Sequence, residues 1–168
     1  QYTVHLVTVD GIHCEIFEPQ DGMYSKNPKY YSCKFNKAAL CYEIAISIFT
    51  NQIFWVNGPF PAGTGDQDVF RKGLQAMIPP GKKVVADSAY KAKYLPMIVT
   101  TNNADSHKVK KFKACAKCHQ ETFNAKMKHF NILNQRFRSG VHNHKTCFKA
   151  CLVLCAYQIE CSAPHFDV

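Results

Sequence analysis

The chain has 168 residues, with 21 Lys+Arg against 12 Asp+Glu and a formal charge of +9. That length suits one domain with its own core and excludes two ordinary ones, while 46% hydrophobic and 20% charged residues exclude wholesale disorder. No apolar run approaches the roughly 18 residues of a membrane span, and the basicity points to an anionic partner, nucleic acid being the usual one.

Tyr2 to Val9 (YTVHLVTV) alternates and is rich in β-branched residues, which predicts a strand ending at Asp10-Gly11. Pro19, Gly22, Asn27 and Pro28 make residues 17–29 a loop. A β-favouring run from Ala39 to Thr50 turns at Asn51-Gln52 into Ile53 to Val56, a predicted hairpin, and Gly58 to Gly65 reads as a second loop. Val69, Phe70, Leu74 and Met77 have helical spacing, so 66–77 is a predicted helix, stopped by Pro79-Pro80-Gly81. Lys82 to Ala86 is a short buried-type strand ending at Asp87, and residues 91–107 read as irregular. Phe123, Met127, Phe130 and Leu133 predict a helix over about 119–137, and an apolar helix follows over 145–159. This order predicts an α/β fold, a ribonuclease-H-like mixed sheet flanked by helices, as a single domain over 1–168.

The chain opens on Gln1 within a strand-like run, and is expected to be a piece of something longer. Nine cysteines, an odd number, without a secretory leader point to a reducing, intracellular setting. Cys147, Cys151 and Cys155 recur every fourth residue and read as small buried hydrophobes along one helix face.

With so few acids, each can be asked why it is where it is. Asp10 follows LVTV and Asp87 follows VVA, so both are expected at the carboxyl ends of strands, where functional groups of α/β sheets gather. Either alone also fits a turn former. Glu121 is the only acid between Asp105 and Glu160, while residues 107–149 hold eleven Lys and Arg. A surface ion pair is the bland reading; a metal ligand within a phosphate-binding surface is the functional one. Three carboxylates on strand, strand and helix suit two-metal phosphoryl transfer, in which hard Mg²⁺ or Mn²⁺ takes oxygen ligands. Asp66 and Asp68 open the predicted helix, where an acid is ordinarily a cap or dipole partner; Asp66 has a lesser claim to brace the site.

The segments VDGIHC (9–14), KFNKAALCYEI (34–44), PAGTGDQDVF (61–70), VVADSAY (84–90), HQETFNAKMKHFNILNQRFR (119–138) and the terminal PHFDV resemble a DDE superfamily endonuclease, more narrowly the nuclease domain of Harbinger-type transposases. The resemblance implies that Asp10, Asp87 and Glu121 are the catalytic, metal-holding residues, with 33 residues between the last two. It also implies two Mg²⁺ (or Mn²⁺) ions, transposon-end and target DNA as substrates, and a nuclear setting. A separate DNA-binding region or protein, and a homo-oligomer, are further implied. Ile12, Gly65 and Ala89 depart from the family pattern, which motivates an alternative: a domesticated or decayed copy that binds DNA without cutting it.

The basic stretch predicts phosphate contacts from Lys108, Lys110, Lys111, Lys113, Lys126, Lys128, Arg136 and Arg138. His119 stands in the H-x-E context beside Glu121, as a site residue or as a satisfied polar residue of the helix. A third reading is a zinc-stabilised module on Cys115 and Cys118 with His119, His142 or His144.

Overall fold

A computed structural model describes residues 4–18, 27–50 and 52–161. The expected α/β architecture is present. Strand β1 (Val4–Glu15) lies at the centre, antiparallel to β3 (Lys37–Ser47) on one side and parallel to β5 (Lys82–Ala86) on the other. Beyond β3 run β4 (Ile53–Pro61) and the two-residue β2 (Tyr31–Ser32), both antiparallel to it; beyond β5 lies β6 (Ile98–Val99), parallel. Three antiparallel strands continued by parallel ones make the mixed, ribonuclease-H-like sheet that the order of elements predicts.

Helices cover both faces, which explains why β1 and β3 read as near-continuous apolar runs. On one face Ile12, Cys14, Leu40, Tyr42, Ile44 and Ile46 pack against α3 (His107–Lys128), α4 (Asn131–Asn134) and α5 (Val141–Cys161) through Phe123, Met127, Leu133 and Phe148. The other face buries Val7, Val9 and Ala45 against α1 (Asp66–Arg71) and α2 (Leu74–Met77) through Phe70 and Leu74. Cys151 and Cys155 are buried and Cys147 partly so, in the role expected of small apolar residues.

Several boundaries move. β1 runs past Asp10-Gly11 to Glu15 because β3 continues to pair with it, Glu15 opposite Ala39. The single helix expected over 66–77 is two, divided at Lys72-Gly73. Gly73 passes so close to Trp55 that a Cβ would lie 2.5 Å from the indole, a contact only glycine permits. β4 carries on through Gly58 to Pro61, into the expected loop. α3 starts twelve residues before the predicted His119, with Ser106 accepting from the Val109 amide. Residues 19–26, within the expected loop, Asn51 of the predicted hairpin turn and the terminal PHFDV lie outside the described residues.

Candidate active site

Asp10 does not end its strand, as expected, but it does end the parallel ladder. Val9 is paired with Ala86, so Asp10 and Asp87 each follow the last paired residues of two adjacent strands. Strand alternation sends the Asp10 side chain to the α3 face, with Thr8 and Ile12. There α3 presents one stripe, Lys117, Gln120, Glu121, Asn124 and Lys128, spaced three and four apart. The structure brings Asp10, Asp87 and Glu121 into the wall of one cleft of about 250 Å³, together with Lys34, Lys117 and Gln120.

The buried end of this stripe holds Asp10 in place. Thr8 Oγ1 donates to Gln120 Oε1 at 2.7 Å, and Gln120 Nε2 donates to Asn124 Oδ1 at 3.3 Å. Asn124 Nδ2 in turn donates to Asp10 Oδ2 at 2.7 Å. Gln120 and Asn124 carry no charge, and nothing in the sequence marks them except their i−1 and i+3 spacing from Glu121. Asp87, at the open rim, accepts from Lys117 Nζ at 3.0 Å.

The carboxylates differ in their electrostatics. Burial raises the Asp10 pKa, and the charges of Asp66 and Asp87 push the same way against the Gly11 amide and Lys34. Asp66 is raised by burial and by Asp87, with Lys34 opposing. Asp87 is lowered by the Ser88 amide and Lys117. Asp66 is therefore part of the same charge cluster. The N-cap of α1 is Gly65 and no side chain caps the helix; the Asp66 carboxylate instead lies against Gly11, where a Cβ would stand 3.4 Å from Oδ1. Of the two roles expected at the helix start, the cap is not made, while Asp66 and Asp68 do lie in the first turn of α1 as dipole partners, and Asp66 also stands against the site from the far face of the sheet.

A second acid on that face escapes sequence reasoning. Glu43, opposite Gly11 on β3, is 1% exposed, accepts from Trp55 Nε1 at 3.1 Å, and leaves Oε1 without a partner. Burial lifts its pKa to about 7, with Asp66 adding to the rise. The signal was an acid in the middle of the apolar run LCYEIAIS.

The donor chemistry suits a hard divalent cation. Asp10, Asp87 and Glu121 offer carboxylate oxygens to one cleft, and Asp10 gains from any nearby positive charge. Asp66 also has His13 and Cys41 donor atoms within 4.8 Å. Burial pushes the Cys41 thiol up to about 12, so without a bound cation it stays protonated at neutral pH. Cys115 and Cys118 belong to no donor cluster among the described residues. His144, one of their expected zinc partners, is buried, bonded to the Tyr42 hydroxyl at 2.8 Å and stacked on its ring. The zinc-module reading therefore fails. His119 is buried on α3 and is not among the residues lining the cleft.

The expected DNA-contacting bases divide. Lys113 is turned inward, 4% exposed, paired with Asp105 at 2.7 Å and donating to the Thr100 carbonyl. Lys128 donates to the carbonyls of His13 and Leu133 and ties α3 to β1. Lys110 donates to the Asn103 carbonyl at 2.9 Å, and Arg136 bonds Glu15 at 2.5 Å. Arg136 and Arg138 both lie near the Phe17 ring. Lys108 and Lys111 are exposed and Lys126 is half-buried. Lys34, at the hairpin tip between β2 and β3, lines the cleft and was not anticipated.

No curated protein matches the chain. The family model of the DDE superfamily endonucleases matches residues 9–156, a span that takes in β1 from Val9, all of the cleft's carboxylates, and α5 to residue 156. With this sheet and this cleft behind the match, the chain belongs to the DDE superfamily endonucleases and is a transposase-like nuclease domain.

Proposed function

We propose that the chain is a metal-dependent DNA endonuclease and strand-transfer domain of a transposase, with Asp10, Asp87 and Glu121 as its catalytic triad. The observation that carries this reading is their convergence on one cleft at the end of the β1–β5 ladder. Those three carboxylates would hold two Mg²⁺ or Mn²⁺ ions. Bound there, such ions would supply activation of the attacking oxygen and stabilisation of the leaving one. The chain's own residues do the rest. Asn124 fixes the Asp10 carboxylate in one orientation, and Gln120 and Thr8 fix Asn124. The Ser88 amide and Lys117 favour the ionised form of Asp87. Lys34 offers a cation to the phosphate diester at the mouth of the cleft.

Nicking of supercoiled plasmid DNA tests this. Wild type should nick with Mg²⁺ or Mn²⁺ and not with EDTA. Asp10→Asn, Asp87→Asn and Glu121→Gln should each lose at least about a hundred-fold in rate. Equal rates in wild type and Asp10→Asn would leave the alternative, DNA binding without catalysis. The departures that motivated that alternative do not touch the cleft. Ile12 is 3% exposed in the α3 face of the core, Gly65 precedes α1, and Ala89 lies in the exposed turn after Asp87.

A further inference from the structure

Asp10 and Asp87 are held by different means. Asp10 is fixed by the chain of carboxamides from α3, whereas the Asp87 side chain is 63% exposed at the rim. Asp87 has also left the β1–β5 ladder, whose last pair is Val9 with Ala86. Its direction therefore depends on the short turn that follows it. There the Tyr90 amide donates to the Asp87 carbonyl at 3.1 Å, and the Lys91 amide to the Ser88 carbonyl at 3.0 Å. Helix α1 meets this turn twice. Phe70 packs edge-on to the buried Tyr90 ring at 6.3 Å. Gln67 Nε2 donates to the Ala89 carbonyl at 3.2 Å and to the Lys91 carbonyl at 3.0 Å. Gln67 Oε1 accepts from the Tyr94 hydroxyl at 2.6 Å, and Arg71, one helical turn further along α1, lies over the Tyr94 ring at 5.3 Å.

These three bonds all fall on residues 89–94, just after Asp87. Gln67 is half-buried, so water could satisfy its carboxamide about as well, and the bonds matter more for geometry than for stability. Gln67 also follows Asp66, whose carboxylate lies against Gly11. One side chain thus ties the segment that carries Asp66 to the segment that carries Asp87. We propose that Gln67 is a positioning residue: by holding the turn after Asp87 and Tyr94 against α1, it fixes the direction in which Asp87 presents its carboxylate to a divalent cation in the cleft. The proposal rests on the nuclease reading above. Partners that orient a metal-binding side chain without touching the metal are worth about ten- to a hundred-fold in metal affinity. An exposed carboxylate on a turn has the most to gain from one.

The probe is Mn²⁺ alone, titrated into the whole chain and followed by the paramagnetic resonance signal of the free ion. Gln67→Met, which keeps the length of the side chain and loses its donors and acceptor, should weaken Mn²⁺ binding about ten-fold. Made on top of Asp87→Asn, the same change should move the affinity by less than about two-fold, because the residue it acts through is already gone. Tyr94→Phe removes one of the three bonds from an exposed side chain. It should give a smaller loss in the same direction, again only while Asp87 is present, and it decides the matter if Gln67→Met disturbs the fold. Mn²⁺ binding that Asp10→Asn abolishes and both Gln67→Met and Tyr94→Phe leave unchanged would overturn the positioning role and leave the nuclease reading intact. An equal loss with and without Asp87 would overturn it too, since a general loosening of the fold acts in both backgrounds. A wild-type chain that binds no Mn²⁺ would overturn both readings.

Discussion

Replacing Glu43 by Gln isolates the cost of keeping a carboxylate buried beneath the site. Glu43 is 1% exposed, and its pKa stands at about 7 against an ordinary 4.5, burial being the main cause and the Trp55 donor opposing it. A carboxyl whose folded pKa is raised contributes its full stability below the unfolded value, and loses it as pH rises through the folded value. Wild type therefore loses stability between about pH 4.5 and pH 7 as the unfolded state gives up a proton that the folded state retains. At about 1.36 kcal/mol per unit, the shift amounts to about 3 kcal/mol once Glu43 is ionised in both states. The carboxamide of the Glu43→Gln variant has no proton to release. Its nitrogen replaces the unpartnered Oε1, which adds an offset of about 1–3 kcal/mol that does not vary with pH. The slope is what carries the argument. Between about pH 5 and pH 8 in EDTA, the stability of Glu43→Gln relative to wild type should rise by about 2–3 kcal/mol, or roughly 4–12 °C in melting temperature. Asp10 and Asp66 titrate in both proteins and cancel to first order. Urea unfolding at the two pH values measures it; a difference that stays constant across that range would refute the buried-charge account.

The donor to Asp10 and the basic face give two further expectations. Asn124→Ala removes a 2.7 Å hydrogen bond to a carboxylate; nicking should fall about ten- to a hundred-fold, and Asn124→Asp, which offers an acceptor to an acceptor, should be no better. Lys113→Ala should lower the melting temperature and leave the salt slope of DNA binding unchanged, because its ammonium is engaged by Asp105 and Thr100. Lys111→Ala, at an exposed position, should do the reverse, lowering the slope by about 1 per lost phosphate contact.

Much of the fold was legible because strands buried on both faces write themselves as long apolar runs, and β1, β3 and β5 do. What the sequence could not carry was pairing. Asp10 looks like a strand end in one dimension because a Gly follows it, yet β3 holds the strand together as far as Glu15. The first three turns of α3 were hidden by Lys108, Lys110, Lys111 and Lys113, although Val109, Phe112 and Ala116 continue the spacing of Phe123 and Met127 back to the helix start. Charge composition identified a basic stretch but not the direction of its side chains, so Lys113 and Lys128 counted as surface when both are tied to backbone carbonyls inside. Two-residue strands such as β2 and β6 carry no periodicity at all.

Three acids of the cluster stand out along the chain, and two take their meaning only from the fold. Asp10, Asp87 and Glu121 each follow or interrupt a local pattern, so each stands out along the chain. Asp66 and Glu43 acquire their meaning only through Gly11. With no Cβ at that position, the Asp66 carboxylate and the Cys41 sulfur both come within 3.4 Å of where one would be. Glu43 lies directly opposite on β3. Acids therefore gather around Asp10-Gly11 from both faces of the sheet, in a chain whose net charge is +9. Burial, with like charges adding to it, disfavours ionisation of Asp10 and Asp66, and Lys34 and Lys117 line the cleft beside them. A cluster of carboxylates assembled in this way is least stable when empty of positive charge, which is the condition a bound divalent cation would relieve.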